Sequence, residues 1–438
     1  MAKKIILLMF VVLFSFGSLF AAAEPESKGN PEIEMLMWGG ADRLSYLKTI
    51  YEATTKLPSD VMAKITFTSG GTGAVDAYQL FRLKLASNEA PSIIFFGGET
   101  AATEFIINGD VLNITAEVKG QLDDILPSAL DLASYKGEVY GVPTQVKSKV
   151  WYYRTDLFEE AGINVADIKT FDDFYAAGMK FKEHFPDKYF INLGPTPNVD
   201  VVIGWLGSYD NLTIADEEGN FRVASDSRFR DMYEKIYKLA TAPFSLFISD
   251  WDSSWQPNIE NGTIASLLSW SWMTEFLPPY APTQGGLWGI TSWPEEFGYG
   301  GCAELISIPA ATPNKQASVE VLKTMYLDPE SAVLRFKENG LLPVTYSGVE
   351  KVNAAVAEIA ATATPTSPLG YFGTSMVDDI FATMKYAKKY NSDPSFNAEE
   401  AIIENHLNLM ITGVETIDEA IANTQKDLEL QVGNPYEL

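Results

Sequence analysis

The chain is expected to fold as α/β, with a parallel, doubly wound sheet, and three strand-to-helix units near its start carry that expectation. Residues 33–37, 64–68 and 92–96 are short apolar or β-branched runs, each ending in a glycine-rich segment before a helix-period pattern. Connections of this kind are right-handed and make such strands parallel. A second observation is the stretch 138–158, EVYGVPTQVKSKVWYYRTDLF, where apolar runs at 139–142 and 150–153 flank a polar passage at 144–149 without a turn signal. Extended chain of this kind reads as a crossing between two separately packed regions, a hinge. The third observation is size: 438 residues, 46% of them hydrophobic, correspond to about two to three domains.

Taken in order, Lys3 and Lys4, an apolar run over 5–20, and Ala21, Ala22 and Ala23 have the order of a secretory signal, with cleavage expected after Ala23. Cys302 is the single cysteine, so no cysteine stands at the cleavage point to carry a lipid and no internal disulfide forms. The expectation is an exported, unanchored protein of the periplasm. Residues 24–31 have a linker's composition.

The first strand is broken by Trp38, Gly39 and Gly40, and Asp42 is placed to cap a helix carrying Leu44, Leu47, Ile50 and Tyr51. The second runs into Ser69, Gly70, Gly71, Thr72 and Gly73, then a helix with Val75, Tyr78, Phe81 and Leu85 on one face; the third ends at Gly97, Gly98, Glu99 and Thr100. Open α/β sheets bind ligands at the carboxyl ends of their strands, so the three loops are expected to share one rim. Past the crossing, Thr155 opens a helix stopped by Gly162, and Thr170 with Asp173 forms an N-cap signature. Helical patterns over 229–239, 398–410 and 417–430 and strand-like runs at 189–193 and 305–308 complete the outline.

Tyr135, Gly137, Tyr140, Gly141 and Pro143, then Tyr152 and Tyr153, then Asp156, Leu157, Phe158, Ala161, Gly162 and Ile163 form an ordered series. It resembles the hinge region of ABC-transporter extracellular solute-binding proteins, in particular the carbohydrate-binding family 1 that includes maltose-binding protein. Arg154 stands where that family usually has Asn. Two further segments resemble the family in the same order: 259–269, with Asn261 and Gly262 leading into a strand, and 300–345, with Pro313, Asn314, Lys315 and Pro343. The resemblance implies the two-lobed periplasmic-binding-protein fold of the class II type, each lobe a mainly parallel sheet flanked by helices. Lobe one is then 24–143 with 305–340 and lobe two 148–300 with 345–438, with crossings near 143–148, 300–305 and 340–345.

Six tryptophans, Trp251, Trp255, Trp270, Trp272, Trp288 and Trp293, fall between residues 251 and 293. A sugar site needs flat aromatic surfaces for the C–H faces and polar groups for each desolvated hydroxyl. Any one of these rings also serves a core, and at that level both readings stand. Together with the resemblance, the ligand-contacting candidates are Trp38, Gly39, Ser69, Thr72, Glu99, Gln145, Trp205, Trp251, Trp270, Trp272 and Tyr371. The loop at 69–73 lacks the Lys-Ser/Thr ending of a phosphate loop. Glu99 is placed either to accept sugar hydroxyls or to stabilise a helix N-terminus, Gln145 to face the cleft or solvent, and Tyr371 in a loop near the cleft or in a core.

A formal charge of −26 repels nucleic acid and anionic lipid. The two histidines, His184 and His406, each sit in an expected surface helix, and with no cysteine cluster no metal site is expected. No nucleophile signature supports an enzyme, and no cofactor is expected. The resemblance therefore implies a monomeric, non-enzymatic component of an ABC importer that binds a sugar or oligosaccharide and hands it to membrane permease subunits. A secreted glycoside hydrolase or lyase is the alternative, as is the same fold holding a quaternary amine, polyamine or anion.

Overall fold

Strands β1 (Ile33–Met37), β2 (Ile65–Ser69) and β3 (Ile93–Phe96) lie parallel, β1 pairing with β2 on one side and β3 on the other. Each is followed by a helix, Ala41–Ala53, Ala74–Ala86 and Glu99–Ile107, as the glycine punctuation requires. The computed structural model describes residues 32–436 except 54–55, 72, 195–203, 211, 251–252, 298–300, 385–386, 388–389 and 391. The signal-like segment lies outside these residues. The first helix begins at Ala41, so Asp42 lies inside it instead of capping it.

The short strands β4 (Ser134–Tyr135) and β5 (Glu138–Val139) form a hairpin that leads into β6 (Val142–Arg154). Later come β7 (Ile191–Asn192), β8 (Ser245–Leu246), β9 (Ser266–Trp270), β10 (Trp288–Ser292) and β11 (Gly301–Ser307). The main sheet runs β10-β6-β11-β3-β1-β2, with β9 also on β6, while β7 and β8 form a separate parallel pair. The pairs joining β11 to β3 and β6, and those joining β9 and β10 to β6, are antiparallel.

The passage at 144–149 is extended, as the sequence suggests, and well packed. It is the middle of β6, a continuous strand of 13 residues in which every residue but Tyr153 is buried. Its first part pairs with β11 through Ser148, and its second part, from Lys149, pairs with β9 and β10. Alternating side chains then serve two cores, as the two-residue period of a strand dictates. Val146, Val150 and Tyr152 enter a core with β1, β3 and the helix residues Tyr78, Phe81 and Phe105. Trp151 enters another, with Phe158, Phe174, Phe190, Trp205 and Phe297. The first core also takes in Trp255, Leu277, Trp288, Tyr371 and Met376, and the second takes in Ile403, Leu407 and Leu428 of the C-terminal helices.

Local signals hold where they rest on backbone chemistry. Thr170 and Asp173 make a reciprocal capping box on the helix Phe171–His184. Gly162 takes φ +66° after the helix Thr155–Glu160, the left-handed stop expected of it. His406 corrects the sequence reading: its helix, Phe396–Ile411, packs against Ile417–Gln431, which buries the ring between Glu415 at 3.0 Å and Asp427 at 3.3 Å.

Candidate functional site

Because β1, β2 and β3 are parallel, the loops at their carboxyl ends meet, as a hydrogen bond from Gly39 N to Gly71 O at 2.8 Å records. The Ser69 hydroxyl donates to Gly39 O at 2.8 Å and closes the same contact. Trp38 is half-buried at this rim, and the Arg43 guanidinium lies over its ring, 5.1 Å from the centroid. The third loop comes up beside the ring: a Cβ on Gly97 would lie 3.6 Å from Trp38 Cη2, so the backbone there approaches the indole closely.

The rim is tied to the two strands that cross behind it. Arg43 Nη2 donates to Glu304 Oε1 of β11 at 3.4 Å, and the Thr144 hydroxyl of β6 donates to Glu304 Oε2 at 2.8 Å. Lys147 Nζ donates to Gly97 O at 2.6 Å, and Gly97 N donates to the Tyr78 hydroxyl at 2.7 Å. A half-open ring, a carboxylate and two cations therefore stand together, setting an apolar face beside hydrogen-bond donors and acceptors.

Two residues further along β6, Lys149 is buried. Its Nζ donates to Phe297 O and Ser208 Oγ, both at 2.8 Å, and lies 4.9 Å from the Trp293 ring centroid. Burial holds its ammonium well below the usual lysine range.

Residues 59–332, more than half of the chain, match the family of bacterial extracellular solute-binding proteins. The chain belongs to that family. Among curated relatives of this solute-binding protein, an arabinooligosaccharide-binding protein of Bacillus subtilis (strain 168) is 26% identical over 183 residues, 41% of each chain. A lactose-binding protein of Rhizobium radiobacter is 25% identical over 173 residues, 38% of this chain and 39% of the other. The alignments thus span about two fifths of those relatives' lengths. Among solved structures, the maltose-bound MalE3 of T. maritima superposes with a TM-score of 0.73 at 16% identity, covering 91% of this chain and 99% of the other. The ABC transporter associated binding protein of B. animalis subsp. lactis Bl-04, in complex with β-1,6-galactobiose, gives 0.70 at 20% identity, covering 91% and 96%. The fold is that of two-lobed binding proteins.

The solute-binding protein's sequence candidates divide. Trp38, Gly39 and Ser69 come together at the rim. Thr72 and Trp251 lie outside the described residues, and Glu99 is the first residue of its helix. Trp205 and Trp270 are fully buried in the second core, Trp205 against Phe297 at 4.9 Å and Trp270 against Trp293 at 6.4 Å. Trp272 is half-buried, packs against both cores and meets Phe276 edge-to-face at 5.5 Å. Tyr371 is not in a loop: it lies in the helix Pro368–Phe372, buried, with its hydroxyl donating to Ala281 O at 3.0 Å.

Gln145 faces neither open cleft nor solvent. It is buried, its Oε1 has no hydrogen-bond partner, and it lines a small cavity with Ser271, Leu342 and Met384. Such a space suits roughly one water molecule. Sequence reasoning missed Arg43, Glu304, Lys147 and Lys149. The one available signal was two lysines spaced by two on a strand, which puts both on one face.

No helix among the described residues is long and apolar enough to cross a membrane, and none of their His, Cys, Asp and Glu side chains form a group of three suited to a metal ion.

Proposed function

We propose that this solute-binding protein is the soluble, exported component of an ABC importer that binds a sugar or oligosaccharide and delivers it to membrane permease subunits. The observation that carries the reading is the half-open Trp38 indole set beside the Arg43–Glu304 pair at the shared rim of three strand–helix loops. The indole offers an apolar face to a sugar's C–H surface, while polar groups of the same rim take its hydroxyls. Relatives named for arabinooligosaccharides and lactose, and similar folds holding maltose and galactobiose, support a carbohydrate as the ligand.

In this reading the protein acts as a monomer and breaks no bond. The ligand lies between two lobes joined near 143–148, 300–305 and 340–345, and β6, which feeds both cores, is the principal crossing. Contacts made from both sides exist only in the closed form, so sugar shifts the population toward closure by that differential affinity. In this reading the signal-like order at residues 3–23 directs the mature chain to the periplasm.

The test is a thermal-shift screen against arabinotriose, lactose, maltose, betaine, spermidine and phosphate, since a ligand of the folded state raises the melting temperature. A shift with one sugar, recovered chemically intact, is the expected result. A shift only with an amine or phosphate overturns the carbohydrate reading, and sugar cleavage overturns the transport reading.

A further inference from the structure

Trp38 is held from two sides by groups rooted in the strands that cross behind it. On one side Arg43 stacks on the ring, Glu304 of β11 holds Arg43, and Thr144 of β6 holds Glu304. Arg43 Nε is buried and makes no hydrogen bond, so among the bonds described for this side chain the stack and the Glu304 contact set its place. On the other side Lys147 of β6 fixes the Gly97 carbonyl, and Gly97 closes on the indole edge.

The local backbone explains why these struts reach the ring. Glu304 pairs with Gln145 and Leu305 with Pro143, so Thr144 is an extra residue in β6. A bulge of this kind bends the strand and re-aims a side chain, and here the Thr144 hydroxyl meets the Glu304 carboxylate. Proline, which has no N–H to donate to the ladder, sits next to that bulge, where its loss is tolerated.

We propose that Glu304 and Lys147 are positioning residues for a sugar-stacking platform made by Trp38, and that they tie its orientation to the two crossing strands. The inference rests on the sugar-binding reading above and adds a coupling to it. When β6 turns against β11, Arg43 and Gly97 move with the strands, and the face of Trp38 turns with them. Ring orientation and hinge angle are then one coordinate, and a sugar stacked on Trp38 selects a hinge angle directly.

The test compares the full chain with Glu304→Gln, in the parent and in a Trp38→Leu background, by titration with arabinotriose, lactose and maltose. Glu304→Gln is expected to weaken binding about tenfold in the parent background, within the usual range of coupling, and to have no further effect once Trp38 is absent. Equal losses in both backgrounds, or no loss in either, overturn the proposal. A second, ligand-free arm reads the Trp38 contribution to near-ultraviolet circular dichroism as the difference between chains with and without Trp38→Leu. That contribution is expected to diminish in Glu304→Gln, and an unchanged one overturns the platform. If none of the three sugars binds the parent chain, the sugar reading fails and the spectral arm alone decides the platform. Should Glu304→Gln not fold, Lys147→Met tests the other strut by the same two arms.

Discussion

The rim around Trp38 and the tryptophan-rich stretch between residues 251 and 293 are both aromatic, yet the structure uses them in opposite ways. Trp255, Trp270, Trp288 and Trp293 are buried, and Trp272 alone among the described tryptophans of that stretch is half open. Trp38 has no aromatic neighbour in sequence, and its companions are Arg43, Glu304 and Lys147. Trp255, Trp270 and Trp293 pack against other rings inside the cores, whereas Trp38 lies under a guanidinium and keeps a wet side. Charges follow the same division. At the rim they are paired, whereas in the second core burial suppresses them, as at Lys149 and Glu399.

The largest effect expected is at Trp270. Trp270→Ala should cost about 3–5 kcal/mol in urea unfolding, as for other buried large-to-alanine changes. Trp272→Ala should cost about 1–2 kcal/mol, because part of its surface is already in water. Equal costs would erase the contrast between the two residues.

Glu399 comes next. Burial, and then the charge of Asp393, push its carboxyl up to about 9. An acid with a raised folded-state pKa keeps in the native state a proton that the unfolded chain releases. Its contribution is therefore complete below about pH 4.5 and lost as pH rises toward about 9. Glu399→Gln should raise unfolding stability by about 2 kcal/mol at about pH 8 and leave it near the parent value at about pH 4. The urea midpoint of both chains across that range checks this.

Lys149 should show the opposite slope. Its folded-state pKa is depressed, so below about 10.5 there is a window in which the unfolded chain holds more protons and stability rises with pH. Relative to Lys149→Met, the parent should gain about 1 kcal/mol toward the alkaline end of a pH series. A flat difference would mean that the ammonium is solvated and that the second core does not suppress charge there. The smallest effect belongs to a surface feature of the helix Phe171–His184, which packs into that core: Thr170→Ala, which opens the capping box, should cost about 1 kcal/mol in the same measurement.

What was legible in the sequence was local. The glycine breaks after β1, β2 and β3, the Thr170 box and the Gly162 stop depend on neighbouring residues, and each is found where the sequence puts it. The polar middle of β6 shows no core-facing pattern in the sequence because its partners are distant in the chain: Thr144 meets Glu304, Lys147 meets Gly97, and the Ser148 hydroxyl meets Thr383. Without those partners a run such as Thr144 to Lys149 looks solvated. His406 was misread for a similar reason, since Glu415 and Asp427 reach it from the next helix and the turn before it. Of the rim, Trp38, Gly39 and Ser69 could be placed from strand ends, while Arg43 and Glu304 carry no mark that sets them apart from surface charges.

The single strand shared by two cores also sets an order of assembly. In the strand order of the described residues β11 lies between β3 and β6, and its Leu305 pairs with both Phe96 and Pro143. The first three strands can therefore gather as soon as they are made, but the sheet stays open until the chain is complete to Ser307. Contacts that far apart in sequence form slowly. Until β11 arrives the edges of β3 and β6 are exposed pairing surfaces, and that interval is when the chain is most open to misassembly.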